Sequence, residues 1–259
     1  MQKAKILYQV RSIKYFTIGV LREGWYRVVR VPAGHLAWLI CNHTRVDDRI
    51  LSRKNGVRAL QSFSLIDIPP RAIKRFVRDH DVKRKFMVWP GDWDQRARPM
   101  AEHYRYGPMQ DLWKHRDQIE NSESYHDLIH RIETNQPLAR VNKKILVDTP
   151  DKAREYLHKQ LEIFFSLEAE GYNPELADDE LNVAIARDGS LVKANGGRKR
   201  LIAAQILGLP SIPVRIAYIH KDWLAKYQIE GASRSQALKQ AILSARELAL
   251  NSSQGLKKP

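Results

Sequence analysis

The chain of 259 residues has a single cysteine, Cys41, so it forms no internal disulfide and offers no cysteine cluster for structural zinc. A reducing compartment, the cytoplasm, is the expected location. The thiol reads as a small buried hydrophobe, with His43 as its only local base. No run of eighteen apolar residues occurs, and Lys3, Lys5, Arg11 and Lys14 break the apolar positions of the first segment, which argues against a membrane span or a secretory segment. The histidines lack metal spacing: His126 and His130 stand four apart on an expected helix with no third ligand nearby in sequence, so no metal site is expected. Internal repeats and low-complexity tracts are also missing. Acidic residues are scarce in one part only. Residues 1–100 hold 21 Lys and Arg against 8 Asp and Glu, whereas 101–259 hold 23 against 21, so nearly all of the net charge of +15 is N-terminal. That asymmetry suits contact with a polyanion such as DNA or RNA, an acidic lipid surface or an anionic glycan, and it equally suits a solvated basic face that aids solubility.

What is present suffices for a buried core, at 43% hydrophobic content. "GWYRVVRVPAGHLAWLI" at 24–40 has the β-branched character of a strand pair, and Asn55-Gly56 is a tight-turn dipeptide. "IDIPPRAIKRFVRDH" predicts a short helix after the proline pair, burying Ile73, Phe76 and Val77 and displaying Arg71, Lys74, Arg75 and Arg78, the candidate nucleic-acid contacts. Trp89, Pro90, Gly91 and Trp93 then form an aromatic loop around Asp92 and Asp94. Further on, "SESYHDLIHRIE" predicts a helix with Tyr125, Leu128, Ile129 and Ile132 on one side. The next helix starts with Thr149 as N-cap and Pro150 in its first turn, and stops before Gly171. Ala153, Leu157, Leu161, Phe164 and Glu168 follow the three-four spacing, with Phe165 and Leu167 widening the apolar side. From residue 181 the pattern predicts a strand, an Asp188-Gly189 turn, a short strand, a glycine loop, a helix stopped by Gly208, and a strand. A last amphipathic helix turns Leu238, Ile242, Ala245 and Leu248 inward.

The segment "NGGRKRLIAAQ" raises the main functional question, because a glycine pair delivers Arg198, Lys199 and Arg200 to the start of a helix. Glycines let a backbone approach a ligand closely, and the positive end of a helix favours an anion. Gly196, Gly197, Arg198, Lys199 and Arg200 are therefore the candidate phosphate or nucleotide contacts. The competing reading is steric: a tight turn needs glycine, Arg198 and Lys199 face solvent, and Arg200 pairs with a carboxylate that locks the turn. Asp92 and Asp94 present two carboxylates two residues apart, a pattern suited to magnesium over a triphosphate and, more commonly, to a turn whose Asp side chains cap backbone N–H groups.

A strand, a D-G hairpin, a glycine-basic turn and a helix running into "ILGLPSIPV" together resemble the core of the ParB/sulfiredoxin superfamily, over about residues 180–220. The resemblance places Gly197, Arg198, Lys199 and Arg200 on the G-E-R-R box of ParB proteins, with Ala203 and Ala204 on its small-residue helix face; Arg198 stands at the glutamate position. In sulfiredoxins the corresponding turn is G-G-C-H-R. Here Arg198 replaces the reacting cysteine and Lys199 the histidine, which leaves no thiol at that turn. Other relatives carry D-G-x-H-R, and some phosphorylate free serine or hydrolyse CTP. The resemblance thus implies a phosphate- or nucleotide-binding protein, of the kind that acts as a nucleotide hydrolase or small-molecule kinase, with nucleoside triphosphate and magnesium as ligands. Asp92, Asp94 and Glu180 are the candidates for the acid that such chemistry needs. No helix-turn-helix follows the core, which disfavours operator binding, and the alternative is a non-catalytic, sequence-nonspecific nucleic-acid-binding protein. The expected fold is α/β (α+β), a small mixed sheet with flanking helices. Four parts are expected: a basic region 1–100 with strands and a short helix, a helical segment 101–175, the ParB-like core 176–232, and a C-terminal helix and tail 233–259.

Overall fold

The computed structural model describes residues 63–78, 87–140, 145–172, 180–229 and 233–254. The strand pair expected at 24–40, the Asn55-Gly56 turn and Cys41 lie outside the described residues. The strands are β1 (Leu65–Ile68), β2 (Arg75–Phe76), β3 (Val88–Trp89), β4 (Arg98–Pro99), β5 (Leu138–Arg140), β6 (Ile145–Val147), β7 (Asn182–Ile185), β8 (Leu191–Lys193) and β9 (Ile212–His220). The helices are α1 (Tyr106–Lys114), α2 (Glu123–Glu133), α3 (Pro150–Glu170), α4 (Arg198–Ile206), α5 (Lys221–Ala225) and α6 (Arg234–Gln254). Contacts divide the described residues into two compact units, 107–165 and 63–106 with 166–254. The division runs differently from the four parts expected, because the strands at 65–76 belong to the same sheet as the core strands.

That sheet is mixed and seven-stranded, in the order β1-β9-β7-β8-β2-β4, with β3 also paired to β9. The β7–β8 hairpin forms around Asp188-Gly189 as the pattern predicts; Gly189 has φ +86°, and Asp188 Oδ1 accepts from the Ser190 N–H at 2.9 Å. β7 is buried along its whole length, as befits a strand flanked on both sides and covered on both faces. Paired residues in a ladder share a face. The registers Phe76↔Lys193 and Val183↔Lys193 therefore set Phe76, Lys193 and Val183 side by side on one face. On the opposite face Val77, Ala184, Ala186, Val192 and Ala194 pack with Trp93, Ala217 and Tyr218.

The helix expected after the proline pair is absent. Pro70–Ala72 form one 3-10 turn, and Arg75–Phe76 enter the sheet beside β8. Ile73, Phe76 and Val77 are buried as the pattern implied, although only Arg75 and Phe76 form strand, paired with the edge of β8. Gln205 of α4 fixes the turn by donating from Nε2 to the carbonyls of Pro70 (3.0 Å) and Ile73 (2.9 Å). In α6, Ala237, Leu238, Ala241, Ile242 and Ala245 are buried, but Leu248 is 45% exposed, against expectation.

In the 107–165 unit the caps match the sequence. Ser122 Oγ accepts from the Tyr125 N–H to start α2, and Thr149 Oγ1 accepts from the Lys152 N–H to start α3. Gly171, at φ +68°, follows the end of α3. Ala153, Leu157, Leu161 and Phe164 are buried, with Phe164 stacked on Trp113 at 4.8 Å. Phe165 is instead 45% exposed, one position round the helix from the buried stripe.

Candidate functional site

Gly196 and Gly197 both take left-handed backbone, at φ +72° and +59°, and Gly197 is the N-cap of α4. An N-cap residue ordinarily has extended backbone. The left-handed pair lies three and four residues after the end of β8 and leads directly into α4, and a side chain at 197 would also collide with its neighbour. A Cβ built there lies 2.7 Å from Leu181 Cα and 2.9 Å from Leu181 Cβ. The steric reason for glycine is therefore present at Gly197. It explains the backbone shape and leaves open why three cations follow.

The carbonyl side of the turn is held from below by Lys193. Its side chain is fully buried, and Nζ donates to the carbonyls of Asn182 (2.7 Å), Ala194 (3.2 Å) and Asn195 (3.2 Å). With the Asn195 carbonyl turned to this ammonium, the chain enters α4 at Arg198, and the first helical turn contains no acid. Acids are the residues that a helix N-terminus favours. Arg198, Lys199 and Arg200 add positive charge at an end that is already positive. All three are half-buried, and the Arg200 guanidinium lies 5.7 Å from the centroid of the Tyr172 ring.

A histidine absent from the sequence reading packs against β2, the strand paired with β8. His103, just after the 3-10 turn Met100–Glu102, is 4% exposed. Its ring packs edge-on against Phe76 at 4.8 Å and stacks on Tyr104 at 4.7 Å. Phe76, which its ring contacts, is the register partner of Lys193. Burial first, and then the positive charges of Arg198, Arg105 and Lys193, push the imidazole down from 6.5 to about 4. It is neutral at pH 7. Nδ1 accepts from the Arg105 N–H at 3.3 Å, which places the ring proton on Nε2. No signal in the sequence links His103 to β2.

The other candidates lie elsewhere in the same unit. Asp94, 3% exposed, accepts from the Arg187 backbone N–H (3.0 Å) and from Arg187 Nε (3.0 and 3.2 Å) and Nη2 (2.9 Å). Arg187 Nη2 also reaches Asp92 Oδ1 at 2.7 Å and the Gly91 carbonyl at 3.0 Å. His220 closes the cluster, with Nε2 donating to the Gly91 carbonyl at 2.7 Å, Nδ1 accepting from the Asp222 N–H, and its ring tilted against Trp93. Burial works to raise the Asp94 pKa, but the hydrogen bonds from Arg187 outweigh it and hold the carboxyl below 3.8. Asp92 and Asp94 thus both engage Arg187, Asp94 buried and Asp92 exposed. Among the described residues no group of three or more His, Cys, Asp or Glu could hold a metal ion. Glu180 accepts from Arg215 Nε and Nη2 at 3.1 and 3.0 Å.

Of the four cations expected on a helix face, Arg71, Lys74 and Arg78 are exposed, while Arg75 turns to the β7–β8 hairpin. Arg75 Nη2 donates to Ser190 Oγ at 2.8 Å and lies 3.6 Å from Asp188 Oδ2. They share no helix. His126 and His130 are exposed on α2. Among the described residues no helix is long and apolar enough to cross a membrane. Compared with known proteins, the chain matches no protein-family model, no curated protein and no solved structure.

Proposed function

We propose that the chain binds a phosphate-bearing small molecule, a nucleotide in the reading that its ParB-like pattern supports, at the turn formed by Gly196, Gly197, Arg198, Lys199 and Arg200. One observation carries this: a left-handed glycine pair hands the chain to a helix whose first turn is Arg-Lys-Arg with no acid. Placing three cations at the positive end of a helix opposes the usual preference, and a bound anion would reverse the sign of that term. Binding is the whole of the proposal, and no reaction is assigned. Titration calorimetry with pyrophosphate and with ATP, CTP, GTP and UTP, each with and without magnesium, tests it. Charge-assisted contacts are worth about 1.5–3 kcal/mol each, so Arg198→Ala is expected to weaken binding by roughly ten- to a hundredfold. Absence of binding by every compound, or binding indifferent to Arg198→Ala, contradicts the proposal.

A further inference from the structure

We infer that the β4 end of the seven-stranded sheet docks a single-stranded nucleic acid, with a base stacked on Tyr104 and phosphates met by Arg71, Lys74, Arg78 and Arg105. The inference is independent of the glycine turn.

Two segments build this edge. β4 ends the strand order, pairs with β2 through Arg75↔Pro99 and Phe76↔Arg98, and is tied to it again by the Met100 N–H, which donates to the Lys74 carbonyl at 2.8 Å. Residues 71–78 and 96–105, joined in this way, contain four and three Lys or Arg against a single acid, Glu102. That acid is taken by Arg98, whose Nη2 lies 2.9 Å from it, and Arg75 is taken by Ser190 and Asp188 of the β7–β8 hairpin. Arg71, Lys74 and Arg78 are exposed, and they and Arg105 make no ion pair among the described residues. Cations in such excess over carboxylates fit a polyanion. What selects among polyanions is Tyr104. Its ring is 71% exposed yet fixed in place, because it stacks at 4.7 Å on His103, which is buried and edge-on to Phe76 of β2 at 4.8 Å. The Arg105 guanidinium lies 4.9 Å from the Tyr104 ring centroid and donates from Nε to its hydroxyl at 2.8 Å, so a cation borders the ring. An open, positioned aromatic ring beside cations suits a single strand, with a base on the ring and the backbone on the charges. Bases within a duplex are already stacked on one another. A lipid surface would accept the cations but takes up apolar side chains, and Tyr104 is the one large apolar residue exposed in these two segments.

Fluorescence anisotropy of the full chain with a fluorescein-labelled oligothymidylate at low salt tests this. Binding should be saturable and should weaken about tenfold in Tyr104→Ala, the loss expected for one stacked base, while Tyr104→Phe retains it. Replacing Lys74 and Arg78 together by Gln should flatten the dependence of log affinity on log salt by about 1.4 units, at roughly 0.7 for each phosphate contact on a single strand. A duplex of the same length should bind more weakly than the single strand. Absence of oligothymidylate binding overturns the inference, as does binding that Tyr104→Ala leaves unchanged in a protein with the wild-type circular dichroism spectrum. Equal affinity for duplex and single strand also overturns it, because the ring then contributes nothing. Binding to phosphatidylserine vesicles with no binding to oligothymidylate overturns it in favour of a lipid surface.

Discussion

Gly197→Ala and Gly208→Ala form a pair that isolates the close approach at the turn. Both glycines are left-handed, at φ +59° and +67°, so both substitutions incur the steric cost of that region, about 1–2 kcal/mol for a residue with a Cβ. Only Gly197 has a neighbour in the way. The added Cβ at 208 meets nothing within 4 Å, whereas at 197 it falls 2.7 Å from Leu181 Cα. Leu181 cannot easily give, because it is 2% exposed and its carbonyl accepts the Arg215 N–H of β9 at 2.8 Å. Overpacking of this kind costs about 1–3 kcal/mol, which brings Gly197→Ala to roughly 2–5 kcal/mol against about 1–2 for Gly208→Ala. Since single domains are stable by about 5–15 kcal/mol, the first variant loses a large share of its stability and still folds in most of that range. Urea unfolding followed by circular dichroism measures both, with unchanged m-values showing that the end states are the same. Equal midpoints for the two variants would refute the close contact between the turn and Leu181.

Other expectations concern burial and charge. Lys193→Met should cost about 3 kcal/mol or more in urea unfolding, because three buried or half-buried carbonyls lose their shared donor; a cost under about 1 kcal/mol would contradict its role in holding the turn. His103 has a folded pKa below its ordinary 6.5, so its neutral form contributes stability that is full above pH 6.5 and is lost as pH falls towards 4. Relative to His103→Phe, the wild type should lose on the order of 3 kcal/mol across that interval, burial of the ring against Phe76 and Tyr104 being the main cause and the charges of Arg198, Arg105 and Lys193 adding to it. Identical acid profiles of the two proteins would contradict this. Asp94 has a folded pKa below 3.8, so its contribution is present above that value and is lost only as pH falls through the lower folded pKa. Asp94→Asn should lower the melting temperature at pH 7 and remove part of the acid dependence below pH 4; an unchanged melting temperature would show that the Arg187 cluster is not needed for the fold.

The legibility of this chain tracks the range of the interactions involved. α3 was readable because Thr149, Pro150 and Gly171 act within a few residues of its ends, and the β7–β8 hairpin because Asp188-Gly189 sets its own turn. Pro70–Phe76 misled for the same local reason. Ile73, Phe76 and Val77 have helical spacing, yet the deciding contact is the edge of β8, more than a hundred residues away, which takes Arg75 and Phe76 as a strand. Leu248 and Phe165 were expected inside because each continues an apolar stripe, and nothing local says where that stripe stops being covered. The turn at 196–200 was visible as a glycine-basic motif, but its supports were not. Nothing local marks Lys193 as the buried donor beneath the turn, because its partners are backbone carbonyls set by the β7–β8 pairing. Likewise the pairing of Asp92 and Asp94 with Arg187 spans over ninety residues, and the spacing pointed to magnesium or, more commonly, a capped turn, with nothing local to name an arginine.

Backbone amide NMR of the wild-type protein during titration with pyrophosphate tests the phosphate site most directly. The account predicts saturable shifts concentrated at residues 196–201, with the midpoint raised roughly ten- to a hundredfold in Arg198→Ala while the folded spectrum is otherwise preserved. Saturable shifts concentrated away from that turn, or no saturable shift at all, would contradict it.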